Sequence, residues 1–325
     1  MTLHEEGAKP GSSPEHAIID LDYDMPVTAD VLGKSIDTVI GGNAALVALP
    51  NRDPRDAEYL QVQVPQDASP LQRHATDECA GFMVDDHRAM VRLLAVNFAD
   101  GTGEDLRALA EATVVWGGLV EEWLGALGGC TRPGNPVSRR RGPILTNDVS
   151  GDRVRRSGNM TTLFPAGGPS ADPAMVVSAF AHAGRGQRPS LPWQLLVAAQ
   201  RHGVSGDGRR AIVDVATAVE VALSTPLRIH LARAGLKDRT MKRLLGGGTV
   251  RLIELYRSEI GELSVRQDAI VRDVCDPRNS AIHEGAVPTM SIAWDALRTA
   301  RELLTELAPI DGDPTTGSLG SIRPG

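Results

Sequence analysis

From Pro192 to Leu307 the long segments place apolar residues three and four positions apart, a spacing that gathers them on one side of an α-helix and scatters them on a strand. This pattern predicts a helix over Trp193 to Arg201, punctuation at Gly206-Asp207-Gly208, and a long second helix from Arg209 to Ala234. On that second helix Ile212, Val215, Val219 and Leu223 fall within about 60° of one another at 100° per residue, so they predict a buried stripe. Helices over Thr249 to Ile260 and Val265 to Val274 follow. The last, Thr289 to Leu307, gathers Met290, Ala293, Leu297, Ala300, Leu304 and Leu307 on one face with Trp294 beside it. Five such segments in about 120 residues predict an all-α, up-down bundle.

Upstream the pattern differs. Short β-like runs, Ala17 to Leu21, Ile36 to Ile40, Ala45 to Leu49 and Tyr59 to Val64, alternate with Gly, Pro, Asn and Asp turn signals. An apolar stretch from Ala89 to Phe98 precedes a helical pattern from Glu104 to Leu127, capped by Gly128-Gly129. Strands followed by a helix predict an α+β domain. From Thr131 to Arg188 the chain is rich in Gly, Pro and Arg, with a predicted strand at Met160 to Phe164 and no sustained helical period, so its end reads as a linker. Residues 1–14 and 309–325 carry Gly, Pro, Ser and charge without periodicity and are expected to be disordered. The expected division is a disordered 1–14, an α+β domain over 15–187, a helical domain over 188–308 and a disordered tail. A chain of 325 residues accommodates these two domains.

A net charge of −7 argues against coating nucleic acid through bulk charge, so any RNA contact has to be local. Cys79, Cys130 and Cys275 lie far apart, which suggests neither a disulfide framework nor a zinc ribbon and fits a reducing cytoplasm. The acidic start has no apolar core of a secretory signal, and the longest apolar run, Ala112 to Leu119, is too short to span a membrane. These features predict a soluble, cytoplasmic protein.

Chemistry concentrates between the last two long helices, in Asp276-Pro277-Arg278-Asn279-Ser280-Ala281-Ile282-His283-Glu284-Gly285. Asp276 suits an N-cap and Pro277 the first helical position, while Gly285 and Pro288 stop the element, so a separate helix of one to two turns is expected. On it Asn279 and His283 share a face, and Arg278 lies about 140° from His283 and needs its long arm to converge with it. Arginine and histidine at one phosphodiester suffice to cleave RNA without metal. The imidazole takes the proton of the ribose 2'-hydroxyl and the guanidinium stabilises the phosphate, leaving a 2',3'-cyclic phosphate and a 5'-hydroxyl. No cofactor and no metal are expected.

The Arg-Asn-x-x-x-His string, the Ala-rich helix from Arg210 to Leu223, the Gly after the His and the closing amphipathic helix resemble HEPN domains, in order as well as in residues. The resemblance covers about residues 188–308, and a β-rich module before the helices is similar to the Apea-like HEPN proteins. It implies a helical domain that dimerises so that two Arg/His motifs face each other in a composite endoribonuclease site, commonly in toxin or anti-phage systems under a regulatory protein partner. Arg278, Asn279 and His283 match the family's motif, and Glu220 on the Ala-rich helix corresponds to a polar residue that orients Arg278 or His283. Some HEPN domains are non-catalytic modules that bind RNA or a partner protein, so both readings stand at this point.

Other features carry plainer alternatives. Arg278 could pair with Asp276 or Glu284, and Glu220 could be a solvated helix-edge carboxylate. Arg132, Arg139, Arg140, Arg141, Arg153, Arg155 and Arg156 could touch RNA phosphates or an acidic partner, or merely keep a loop soluble. His74, Cys79, Asp85, Asp86 and His87 lack structural-zinc spacing. Gly246-Gly247-Gly248 neither follows a strand nor ends in Gly-Lys-Ser/Thr, so it reads as a helix connection. Trp193, Tyr256 and Trp294 are expected in the core.

Overall fold

A computed structural model of the chain describes residues 17–52, 59–61, 81–83, 86–98, 106–128, 144–147, 170–310 and 322–324. The expectations for residues 1–14, for a strand at Met160 to Phe164, for the arginine-dense stretch from Arg132 to Arg156, and for His74, Cys79 and Asp85 lie outside them. The described residues fall into two compact units, one ending at Arg188 and including 322–324, the other running from Pro189 to Ile310. The first is α+β and the second helical.

Among the described residues the first unit is built on an antiparallel sheet of nine strands: β1 (Ala17–Thr28), β2 (Lys34–Ile40), β3 (Asn43–Ala48), β4 (Asn51–Arg52), β5 (Tyr59–Gln61), β6 (Gly81–Met83), β7 (Arg88–Phe98), β8 (Ile144–Asn147) and β9 (Ile322–Pro324). β7 is the organiser. One of its edges pairs with β1 along its length, and the other pairs with β6 near Met90 and with β3 from Ala95 to Phe98. β2 pairs with β3 through a turn at Gly41-Gly42, both with positive φ, where residues bearing a Cβ are disfavoured. β9 lies within the stretch expected to be disordered, yet its extended Ile-Arg-Pro pairs with Lys34–Ile36, an edge position that suits a proline.

Two helices, α1 (Leu106–Gly128) and α2 (Pro173–Gly184), pack together and against β1 and β2. α2 lies where the sequence shows no sustained helical period. Asp172 caps it by accepting from the Met175 backbone N–H at 2.8 Å, Pro173 starts it, and nearly all of Val176 to Ala183 is buried. Helices buried on most sides lack an amphipathic period, which is why the pattern does not reveal it. Phe180 meets Trp116 edge to face at 4.9 Å, and His182 stacks on Trp123 at 3.9 Å. The close approach of α2 to β2 depends on Gly184, where a Cβ would come within 2.9 Å of Thr38 Oγ1.

The helical unit comprises α3 (Leu191–Val204), α4 (Gly208–Arg233), α5 (Asp238–Leu245), α6 (Thr249–Glu259), α7 (Gln267–Ile270), α8 (Asp276–His283) and α9 (Met290–Leu307). The long α4 is its axis, packed by α3, α5, α6, α8 and α9. Ile212, Val215, Val219 and Leu223 are all fully buried, the stripe that the period predicts. Trp193 and Tyr256 are core residues, the former donating to the Ala308 carbonyl at 2.6 Å. Trp294 is not: it is 41% exposed, because α9 buries the adjacent face of Ala293, Ala296, Leu297 and Ala300 and turns the indole outward. The short α5 is not predicted by the pattern, since in eight residues only Met241 is buried.

Leu223→Ala should destabilise the helical unit by about 2–5 kcal/mol, the cost of a cavity in a core that cannot collapse. Chemical denaturation followed by circular dichroism measures this, and a change under about 1 kcal/mol would mean that the stripe is not the core.

Candidate active site

The element that carries the motif differs from expectation. Asp276 is not an N-cap: its φ of −64° and ψ of −48° are helical, as are those of Cys275 before it. α7 and α8 are parts of one helical path from Gln267 to His283, joined by a π-helical turn at Val271–Cys275 in which the Asp276 N–H reaches the Val271 carbonyl. Pro277 has no N–H and its ring would press on the carbonyl four residues earlier, so a proline inside a regular helix kinks or breaks it. Widening the preceding turn by one residue relieves that clash and lets the helix continue.

The π turn is tied down on two sides. Asp273 accepts from Thr299 Oγ1 of α9 at 2.8 Å and from Arg272 Nε at 2.7 Å, and the Arg272 hydrogen bond in particular holds its carboxyl below the usual range. On the other side Cys275 is buried against the start of α6. There Thr249, buried at the first position of α6, donates to Glu220 Oε1 at 2.9 Å. Burial pushes the Cys275 thiol up from 9.0 to about 11. A hydrogen bond with Thr249 opposes that rise, Asp276 and Glu220 add to it, and the Arg278 charge again opposes it. Glu220, Thr249 and Cys275 therefore form a polar cluster, and the Arg278 charge is near enough to act on the thiol. Glu220 is half-buried at the helix edge and accepts a hydrogen bond from Thr249.

Along α8 only Ala281 is fully buried, which fixes the helix orientation. At 100° per residue Arg278 stands about 60° from Ala281, whereas Asn279 and His283 stand about 160° from it. Accordingly Arg278 is half-buried, and Asn279 and His283 are exposed. Arg278 Nη1 donates to Asn279 Oδ1 at 3.2 Å. Among the described residues it pairs with no carboxylate, so neither Asp276 nor Glu284 neutralises it, and His283 makes no hydrogen bond or ion pair. The structure thus sets Arg278, half-buried, against Asn279 and leaves His283 facing outward on the same exposed side as Asn279. Thr249 and Cys275 escape the sequence reading, because a helix-starting threonine and a lone cysteine carry no signal of a partner 29 residues away on α4.

A cleft of about 290 Å³, lined by Ile253, Arg257, Glu262, Val265, Arg266 and Gln267, holds none of the motif residues, and its arginines already pair with Glu262 and Asp268. Among the described residues no group of three or more His, Cys, Asp or Glu side chains could hold a metal ion, and no helix is long and apolar enough to cross a membrane. Comparison with protein-family models, curated proteins and solved structures finds no match.

The thiol gives a direct check on the cluster. Only thiolate attacks an alkylating agent, so up to pH 9.0 Cys275 should react with iodoacetamide far more slowly in the folded chain than in the urea-unfolded one. Peptide mapping by mass spectrometry reads this, and equal rates would contradict the burial. Because the unfolded thiol loses its proton near 9.0 and the folded one near 11, the contribution to stability is complete below pH 9.0 and declines as pH rises through that window.

Proposed function

We propose that the helical unit is a HEPN-like domain acting as a metal-independent endoribonuclease. The observation that carries this reading is the pairing state of α8: an arginine without a carboxylate and an imidazole without a partner, among the described residues, on one exposed helix end. Both groups are free to meet a phosphodiester. His283 is the general base toward the ribose 2'-hydroxyl, Arg278 stabilises charge on the equatorial phosphate oxygens, and Asn279 positions the chain. Glu220, fixed by Thr249, orients Arg278 from below.

A single copy leaves His283 about 140° round the helix from Arg278. A second copy related by a two-fold axis supplies the facing motif, so the active form in this reading is a homodimer with a composite groove. Expression of such an activity demands restraint, which supports a role as a toxin or anti-phage effector held by a regulatory protein partner, in the cytoplasm. The same 140° separation favours a second reading if two copies do not assemble: a non-catalytic module whose α8 surface binds RNA or a partner protein.

The test is cleavage of labelled single-stranded RNA by the full chain. His283→Ala should abolish cutting and Arg278→Ala should lower it by about 100-fold or more, while thermal unfolding stays near that of the parent, since both positions are solvent-accessible. Undiminished cutting by His283→Ala would remove the assignment. RNA binding without cutting by the parent dimer would favour the second reading.

A further inference from the structure

The span from Arg228 to Arg251 is set apart by charge. In 24 residues it holds Arg228, Arg233, Lys237, Arg239, Lys242, Arg243 and Arg251 against a single acid, Asp238, in a chain whose net charge is −7. All seven cationic residues are exposed. Among the described residues none of them makes an ion pair or side-chain hydrogen bond. Elsewhere in the same unit five arginines, Arg210, Arg257, Arg266, Arg272 and Arg298, each have a carboxylate oxygen within 3.4 Å, and Arg209 and Arg278 have none among the described residues.

Geometry makes this a surface rather than a sequence run. On α5, Arg239, Lys242 and Arg243 occupy positions i, i+3 and i+4, within about 100° of one another, and Met241 is buried on the opposite side. At the turn after α5 a Cβ on Gly247 would stand 2.0 Å from Arg251 Cδ. The glycine therefore lets the Arg251 side chain lie back over the turn that ends α5, adding a cation to a place already cationic. Such crowding is unfavourable by itself and is offset when an anion is bound.

We infer that the face formed by α5, the Gly246-Gly247-Gly248 turn and the start of α6 binds the phosphate backbone of the RNA that the α8 motif cuts. This inference rests on the ribonuclease reading. The surface belongs to the same frame as the motif: α5, α6 and α8 all pack on α4, and α6 carries both Arg251 and the Thr249 that holds Glu220. A polyanion fits better than a membrane, because Val250 is the one exposed large apolar side chain among the described residues of this face and α5 itself has none to insert. Phosphate contacts of this kind give affinity and register without reading sequence.

The test uses full-length protein with His283→Ala, so that RNA stays intact, and fluorescence anisotropy of a labelled single-stranded RNA from about 50 to about 200 mM salt. Adding Arg239→Ala, Lys242→Ala and Arg243→Ala should weaken binding by at least about tenfold. It should also reduce the slope of log affinity against log salt by about 2, because each phosphate that a cation neutralises on a single strand contributes about 0.7 to that slope. Arg239→Lys with Arg243→Lys should keep most of the affinity, which separates charge from folding. Removing the same charge from paired positions, through Arg210→Ala, Arg266→Ala and Arg298→Ala, should change affinity by less than about twofold. Unchanged affinity and slope in the α5 variant would overturn the proposal. So would equal weakening in both triple variants, or an α5 effect confined to binding of phosphatidylserine vesicles. RNA bound through α5 but left uncut by the parent protein would refute the nuclease reading and leave this surface standing.

Discussion

The helical unit depends on a constraint at Pro277: a residue that ordinarily ends a helix sits within one. The chain accommodates it by opening a π turn at Val271–Cys275 and fixing that turn from both sides, through Asp273 to Thr299 and through Cys275 toward Thr249 and Glu220. Each anchor is a part-buried polar interaction between residues far apart in the chain. The consequence is rotational. With the turn widened by one residue, α8 buries Ala281, keeps Arg278 half-covered and turns Asn279 and His283 outward. The orientation of the motif is thus set below it, by residues that belong to α4, α6 and α9.

Much of the helical architecture is legible in the sequence because amphipathic period and burial coincide. α4 carries its stripe as the spacing requires, and α9 buries Ala293, Leu297, Ala300 and Leu304 as expected. Legibility fails where that coincidence fails. α2 is buried on most sides and shows no period, while α5 is amphipathic but spans only eight residues, less than the stretch over which a period is read. Local rules place Asp276-Pro277 at the start of α8, as found, but misread Asp276 as the cap of a separate helix, since capping preferences describe an isolated segment and here a π turn leads into it. Residue type alone assigns Trp294 to the core, yet its neighbours on α9 supply that face with smaller side chains.

The motif itself is visible as residue types in order, but its electrostatic state is not. No local pattern reveals that Arg278 lacks a carboxylate or that Glu220 is held by Thr249. Nor does the overall negative charge reveal that acids have been withdrawn from one span and paired with arginines elsewhere. In the assembled unit Arg257, Arg272 and Arg298 pair with carboxylates at the surface, whereas the cations of α5, Arg251 and Arg278 have no carboxylate partner among the described residues. Such a division is what a local polyanion site needs in a chain that is anionic as a whole.

The claim at the centre is that a substrate hydroxyl, not water on a metal, is the nucleophile. End-group analysis of RNA incubated with the parent protein in excess EDTA tests it most directly. Fragments ending in a 2',3'-cyclic phosphate, with 5'-hydroxyl partners, are the predicted result. Fragments with 3'-hydroxyl and 5'-phosphate ends, or cutting that requires added divalent metal, would contradict it.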